Sequence, residues 1–262
     1  MQMTSIMGRV FAWLVAGTML FANTAYGAEV NVMISGGFSA AYRALIPEFE
    51  RTTHNTVVTV AGPSMGTTPQ AIPNRLLRGE PADVLIMVDA ALDGLTQQGK
   101  VVANSRVDLA RSKIGMVVRS GEPKPDIGTV DAFKRTLIAA KSIAYSDSAS
   151  GVYLSTVLFQ RLGIADQVLS KSRMIPAEPV GAVVARGEAQ LGFQQISELL
   201  PVPGVDLVGP LPAEIQKITV FAGGVAAAAK EPEAGRALLQ FLSSPAAAQA
   251  ISKSGLEPVT SR

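Results

Sequence analysis

The sequence predicts an α/β fold, because short apolar strands alternate with amphipathic helices along its first hundred residues. Residues 30–34 and 56–60 have the β-branched, apolar composition of strands, and each is followed by a turn rich in glycine and hydroxyl groups and then by a helix. Residues 82–88 form a continuous apolar run, which is typical of a parallel strand covered on both faces. In an open sheet of such units, ligands bind at the carboxyl ends of the strands.

The same alternation of strands and helices predicts the remaining elements in order. In the first region, helices are predicted over residues 40–51, 70–78 and 90–99. In a second region, strands are predicted over residues 113–119, 142–145, 190–195 and 205–208, and helices over residues 130–139, 152–162 and 182–188. A strand over residues 218–225 and helices over residues 232–242 and 245–254 close the chain.

The N-terminal segment predicts a secretory signal peptide over residues 1–27. Arg9 is the first charged residue and Glu29 the next, and residues 10–22 between them are uniformly apolar or small. Small residues at Ala25 and Gly27 occupy the positions that a signal peptidase reads. The apolar run is shorter than the roughly 20 residues of a spanning helix. Export to the periplasm is therefore the predicted localisation.

The amino-acid composition excludes several kinds of binding site and argues against some kinds of partner. The chain has 23 Lys and Arg against 21 Asp and Glu, and this balance argues against nucleic acid or an anionic membrane as the partner. It has no cysteine, which excludes disulfides, thiolate zinc sites and cysteine nucleophiles. His54 is the single histidine, so a site with several histidine ligands is excluded too. Because His54 follows a helix in a return loop, we interpret it as a surface residue, and we expect neither a metal nor a cofactor.

Three turns share one chemical design, in which small and hydroxyl-bearing residues end a strand and open a helix. They lie at residues 35–37, 64–68 and 148–151. The free backbone N–H groups of such a turn, together with the helix dipole, can bind an anion. The alternative for any one turn is an ordinary helix cap, since Ser and Thr cap helices in every class of protein. The recurrence of the turn favours an anion-binding cleft between two α/β regions.

Several segments resemble the periplasmic molybdate-binding protein family, and the resemblance covers nearly the whole mature chain. They are the export signal, the Val-Met-Ile-Ser-Gly-Gly segment at 32–37, and residues 80–84, 150–153, 186–192 and 241–256. The resemblance implies a type II periplasmic-binding-protein fold, in which two α/β lobes joined by a two-strand hinge enclose a ligand cleft. It places the first lobe at 28–111 and 220–262 and the second lobe at 112–219, with crossings near 111–113 and 219–224.

The resemblance also implies which residues contact the ligand. The two ligand serines of the family correspond to Ser35 and Ser64, and its backbone donors correspond to Ser150 and a position near Ala177. Gln195 stands where the family has a ligand-facing tyrosine, so we expect an oxygen-rich organic anion rather than molybdate. The predicted ligand-binding set is Ser35, Gly36, Gly37, Ser64, Met65, Gly66, Thr67, Ser148, Ser150, Gly151, Gln194 and Gln195.

The family includes aconitate isomerases, and this chain resembles them in length, export signal and altered pocket. The resemblance implies that cis- and trans-aconitate interconvert by allylic proton transfer without a cofactor. That reaction needs a base on the carbon acid and donors for the developing charge. Tyr153 is a candidate base, with a ring packed between the two lobes as its alternative. Asp89 and Asp147 also follow strands, with helix capping as their alternative.

Two functions therefore remain open from the residues alone. In the first, the chain is a periplasmic isomerase acting on a tricarboxylate. In the second, it is a solute receptor that delivers a molybdate-like oxyanion or an organic acid to an ABC permease. Both predict a small anionic ligand as partner, with no nucleic acid and no membrane contact after signal removal.

Overall fold

The computed structural model describes residues 27–176 and 178–259 of the chain. The predicted signal peptide therefore lies outside the described residues except at its last position, and so does the predicted donor near Ala177. Over the described residues, no helix is long and apolar enough to cross a membrane.

Two sheets organise the described residues, which confirms the α/β prediction. The first has the strand order β11-β4-β10-β3-β1-β2 and the second the order β7-β6-β8-β5-β9. The strands are β1 Glu29–Ile34, β2 Thr56–Ala61, β3 Val84–Val88, β4 Val107–Ser112, β5 Ile114–Arg119, β6 Ile143–Ser146, β7 Ser172–Ile175, β8 Leu191–Gln195, β9 Val205–Pro210, β10 Thr219–Val225 and β11 Glu257–Pro258.

Helices flank both sheets and connect their parallel strands. A π-helical turn, Leu154–Leu158, joins α5 to α6. The α-helices are α1 Gly36–Thr53, α2 Ile72–Leu77, α3 Asp89–Gln97, α4 Val130–Ala139, α5 Ala149–Tyr153, α6 Phe159–Arg161, α7 Ala165–Val168, α8 Val180–Ala185, α9 Ile196–Leu199, α10 Pro232–Leu242 and α11 Ala248–Lys253.

Each sheet is covered on both faces, and β3 shows how the sequence achieves this. Val84, Ile86 and Val88 pack into one apolar cluster with α1 and α10. Leu85 and Met87 point the opposite way, into a second cluster with α3. Because side chains alternate along a strand, a run that is apolar at every position buries both faces. The continuous apolar run therefore indicated the environment of this strand correctly.

The two sheets draw on different parts of the chain. The first contains strands from residues 29–112 and 219–258, and the second contains strands from residues 114–210. The chain passes from β4 to β5 through Lys113 and returns between β9 and β10. The exact domain bounds given above remain a prediction.

The observed elements differ from the predicted ones at several places. β4 and β7 were not predicted: β4 has a charged, weakly patterned sequence, and in the edge strand β7 only Ile175 is buried. Helix α1 begins at Gly36 rather than at residue 40, so Ser35 is its N-cap. The helix predicted over 152–162 begins earlier, at Ala149. In both cases the predicted turn is shortened and its residues form the first turn of the helix.

Candidate functional site

A cavity of about 640 Å³ lies between the two sheets, at the turns that follow several of their strands. Eight of the predicted ligand-binding residues line it. They are Ser35, Gly36, Gly37, Ser64, Ser148, Ser150, Gln194 and Gln195. The cavity is therefore built from both sheets, as the sequence predicted for the cleft.

Ser35 directly follows β1 and presents an unpartnered hydroxyl at the cavity. Its backbone N–H donates to the carbonyl of Ile86 over 2.9 Å, which fixes the turn. Its side chain makes no capping hydrogen bond to α1, and its Oγ is buried without a partner. The first N–H groups of an α-helix also lack partners within the helix. A ligand oxygen placed here would satisfy donors that are otherwise buried at a cost.

Gly37 allows the first turn of α1 to pack closely against β10. A Cβ at this position would lie 2.0 Å from Cζ of Phe221, which real atoms do not tolerate. Any side chain at residue 37 would therefore push α1 away from the floor of the cavity. The glycine is required by packing as well as by access to the ligand.

Ser64 carries the second buried hydroxyl group on the side of the cavity that the first sheet forms. It is 1% exposed, and its Oγ accepts a hydrogen bond from the backbone N–H of Val88 over 3.0 Å. Because the oxygen acts as acceptor there, the hydroxyl proton is available for donation to a ligand. The residue follows β2 and is held by the last residue of β3, which fixes its position before any ligand binds.

Three residues that follow Ser64 do not line the cavity, so their predicted binding role is not supported. Met65, Gly66 and Thr67 belong to a loop that folds back on itself, where the Ile72 N–H donates to the Pro63 carbonyl over 2.9 Å. Gly66 has a φ of 109°, which favours glycine. The glycine therefore serves the course of the loop.

The turn after β6 contributes Ser148 and Ser150 from the second sheet. Ser148 is the N-cap of α5, and its side chain makes no capping hydrogen bond. The hydroxyls of Ser150 and Ser146 are 2.9 Å apart and hydrogen-bonded. Gly151 does not line the cavity, because it packs on the strand: a Cβ there would lie 1.7 Å from the Ser146 carbonyl oxygen. Its predicted ligand role is replaced by a packing role.

Tyr153 is not placed to act as the base. Its ring is buried in the core of the second sheet, and its hydroxyl donates to the carbonyl of Ile215 over 2.9 Å. It does not line the cavity. This position gives no support to the predicted catalytic role of Tyr153, and the ring lies within the second sheet's core rather than between the lobes. Asp89 also lies outside the lining, where its carboxylate accepts the N–H of Ala90 over 2.7 Å.

The glutamine pair at the end of β8 is buried and oriented by backbone and side-chain partners. Oε1 of Gln194 accepts the backbone N–H of Val180 over 2.9 Å. Nε2 of Gln195 donates to Oγ1 of Thr219 over 2.9 Å, whereas its Oε1 is buried without a partner. Because the threonine hydroxyl can also donate, the amide can rotate and offer Nε2 to a ligand instead. The pair therefore supplies adaptable polar groups.

Glu198 is the main residue that sequence reasoning missed. It lies in the first turn of α9, lines the cavity and is half-buried. The pKa of Glu198 is raised to about 7, and burial is the largest cause. Hydrogen bonds from the Gln194 side chain and the Gln195 backbone lower the pKa, whereas the nearby charge of Asp147 raises it. A glutamate three residues after a helix N-cap is a capping pattern. That spacing from Gln195 was the available sequence signal.

Glu198 contacts the opposite side of the cavity at Gly36. A Cβ on Gly36 would lie 2.4 Å from Oε1 of Glu198, so a side chain at residue 36 would force this carboxyl group out of its position. A second contact closes the same region, because the Ser197 hydroxyl donates to the Gly37 carbonyl over 2.7 Å. The first turns of α1 and α9 therefore meet across the cleft.

Charges in the lining are mostly negative. Arg43 is the one basic residue that lines the cavity among the described residues, and Asp147, Glu178 and Glu198 are acidic. Glu178 forms an ion pair with Arg186 at 3.2 Å on the exposed side. Within the described ranges, no group of three or more His, Cys, Asp or Glu side chains could hold a metal ion. His54 is exposed at the end of α1, as predicted.

Known proteins resemble this chain along almost its whole length. The family described as bacterial extracellular solute-binding protein matches residues 30–257. An aconitate isomerase from a Pseudomonas species is 55% identical over 251 residues, which cover 94% of this chain and 96% of that protein. The molybdate-binding protein ModA of Azotobacter vinelandii is 29% identical over 259 residues, which cover 91% of this chain and 94% of that protein.

A solved structure shows the same fold. The periplasmic molybdate-binding protein of Azotobacter vinelandii aligns with a TM-score of 0.69 and 21% identity, covering 89% of this chain and all of that one. These matches confirm the resemblance and the type II periplasmic-binding-protein fold predicted from the sequence.

Proposed function

The chain belongs to the family of bacterial extracellular solute-binding proteins, and from that premise we propose that it is an aconitate isomerase. The observation that carries the proposal is the 55% identity to the Pseudomonas aconitate isomerase across nearly the full length of both chains. Identity at this level, over 94% of this chain and 96% of that protein, supports a shared reaction as well as a shared fold.

The cavity supports a ligand with several carboxylates. Ser35 and Ser64 provide buried hydroxyls on one side, and Ser148 provides a free hydroxyl at a helix N-terminus on the other. Arg43 adds a positive charge at the exposed end of the lining. Hydrogen bonds to charged oxygens are about twice as strong as neutral ones, so dispersed donors of this kind suit a tricarboxylate.

The reaction that fits this site is an allylic shift of one proton. A base removes a proton from the methylene carbon of aconitate, the electron pair moves through the allylic system, and a proton is added at its other end. Substrate and product have the same formula, so the reaction consumes no other reactant. Donors around the carboxylates stabilise the charge that develops during the transfer.

We propose the periplasm as the location, with residues 1–27 removed as a signal peptide. The family description places its members outside the bacterial cytoplasm. The ligand is then a small tricarboxylate that diffuses into the cleft, with neither nucleic acid nor membrane as a partner.

The test is conversion of trans-aconitate by protein expressed with its own N-terminal segment and purified from the periplasm. Chromatography follows the cis isomer with time, and the same preparation is titrated with molybdate and sulfate. Steady formation of cis-aconitate, with no tight binding of either inorganic anion, is the expected result. Absence of conversion together with tight binding of molybdate would reject the proposal.

A receptor for an ABC permease is the second candidate. The contact between Ser197 and Gly37 across the cleft supports it, because receptors of this fold enclose their ligands between lobes. The 29% identity to ModA supports it too. The conversion assay separates the candidates, since a receptor binds its ligand and releases it unchanged.

A further inference from the structure

The Glu198 side chain lines the cavity, a position that helix capping alone does not require. We propose that Glu198 is the base that takes the proton from the substrate methylene and returns it to the other end of the allylic system. The proposal rests on the proposed isomerase function and assigns its proton-transfer residue.

The first argument is geometric. Glu198 lines the cavity, and its Oε1 lies where a side chain on Gly36 would otherwise be, next to the first turn of α1. Ser35, with its unpartnered Oγ, immediately precedes that turn. A carboxylate of the ligand bound at Ser35 would therefore bring its adjacent carbon close to Glu198. A base must lie within hydrogen-bond reach of the proton that it abstracts.

The second argument concerns orientation. The Gln194 side chain and the Gln195 backbone both hydrogen-bond to the Glu198 carboxylate. Gln194 is itself held by the backbone N–H of Val180 at 2.9 Å. The carboxyl group is therefore fixed by a chain of partners rather than free to rotate, as a base on a carbon acid must be.

The third argument concerns charge. No lysine or arginine forms an ion pair with Glu198 within the described residues, whereas Glu178 in the same lining is paired with Arg186. The charged groups that share the cavity with Glu198 are Asp147, Glu178 and Arg43. Burial and the charge of Asp147 raise the pKa of Glu198 to about 7. A carboxylate with a raised pKa is a stronger base, and with a pKa of about 7 a large fraction of Glu198 is still ionised at neutral pH.

The carboxyl group of Glu198 can carry out both proton transfers of the isomerisation. The methylene C–H bond breaks, its proton goes to Oε1 or Oε2 of Glu198, and its electron pair enters the allylic system, where a neighbouring carboxylate of the substrate takes up the charge. The double bond then re-forms between the other pair of carbons, and the carboxylic acid of Glu198 delivers the proton to the carbon that was vinylic. Glu198 ends ionised, ready for the next turnover.

Glu198→Gln tests the proposal because it separates catalysis from capping. Glutamine serves as well as glutamate at this position of a capping box, so a merely structural role predicts a folded and active variant. A catalytic role predicts a folded variant whose kcat falls by about 10²–10⁴-fold. The control is Glu233→Gln, which makes the same change at an exposed position of α10 and is expected to leave activity unaltered.

Binding is measured on the same variants with propane-1,2,3-tricarboxylate, a saturated analogue that cannot isomerise. We expect Glu198→Gln to bind it as tightly as the unaltered protein or more tightly, because a negative charge beside the anion is removed. Full activity in Glu198→Gln would overturn the assignment while leaving the isomerase proposal standing. If the unaltered protein is inactive, both the assignment of Glu198 and the isomerase proposal are overturned. If Glu198→Gln loses binding by the same factor as kcat, Glu198 contacts the ligand but is not the base.

Discussion

Replacing Ser35 by alanine should weaken ligand binding without destabilising the protein. Ser35 is only 3% exposed, and its Oγ is buried without a hydrogen-bond partner. A buried polar group without a hydrogen bond costs about 1–3 kcal/mol. Removing that group should leave the free energy of unfolding unchanged or increase it. For a chain of this size each kcal/mol gained raises Tm by about 2–4 °C.

The effect on the ligand should have the opposite sign. A hydrogen bond to a charged group contributes about 1.5–3 kcal/mol, so Kd should rise by roughly 10–150-fold. Kd is measured by calorimetric titration with propane-1,2,3-tricarboxylate, and Tm is measured by calorimetric scanning of the ligand-free protein. The two readouts together separate a ligand contact from a structural residue.

Ser64→Ala is the matched comparison. Its Oγ accepts the N–H of Val88, so alanine leaves that buried donor unsatisfied. The free energy of unfolding should then fall by about 1–3 kcal/mol in addition to the loss of affinity. If Ser35→Ala lowered Tm as much as Ser64→Ala and left Kd unchanged, the claim that Ser35 faces the ligand would be refuted.

Three further predictions concern the contact between α1 and α9. Because the raised pKa of Glu198 leaves more of it protonated as pH falls below about 7, kcat/KM should decrease about tenfold per pH unit there, and a flat profile between pH 5 and 8 would contradict its role. Gly36→Ala should fold normally but lose activity, since its Cβ displaces the Glu198 carboxyl; unchanged kcat in a steady-state assay would show that the carboxyl position is unimportant. Ser197→Ala removes the hydrogen bond to Gly37 and should raise Kd by about 2–10-fold, whereas an unaltered Kd would show that closure does not depend on it.

The fold was predictable from the sequence wherever a local pattern determines the element. Helices α4 and α10 match their predicted bounds, because each has a clear apolar stripe and a recognisable first turn. β4 and β7 were missed, because pairing with neighbouring strands rather than their own composition makes them strands. Turn lengths were overestimated for the same reason: residues such as Gly36 read as loop but extend a helix once it packs.

The site was predictable only in part. Ser35 and Ser64 follow strands in a pattern that local chemistry explains, and both line the cavity. Tyr153 does not line the cavity, and its position along a helix does not reveal that its hydroxyl donates to the carbonyl of Ile215. Glu198 was missed because its spacing from Gln195 indicates only a helix cap, whereas its contact with Gly36 comes from a distant part of the chain. Local sequence does not reveal such a contact between distant segments.

The most direct test of the account uses proton NMR of the two substrate isomers. Separate samples of cis- and trans-aconitate are incubated with the purified protein, and the vinyl signals are followed until they stop changing. The account predicts that both samples reach the same ratio of isomers and that Glu198→Gln leaves both spectra unchanged over the same period. Spectra that stay unchanged with the unaltered protein, while calorimetry detects binding, would contradict it and identify a receptor.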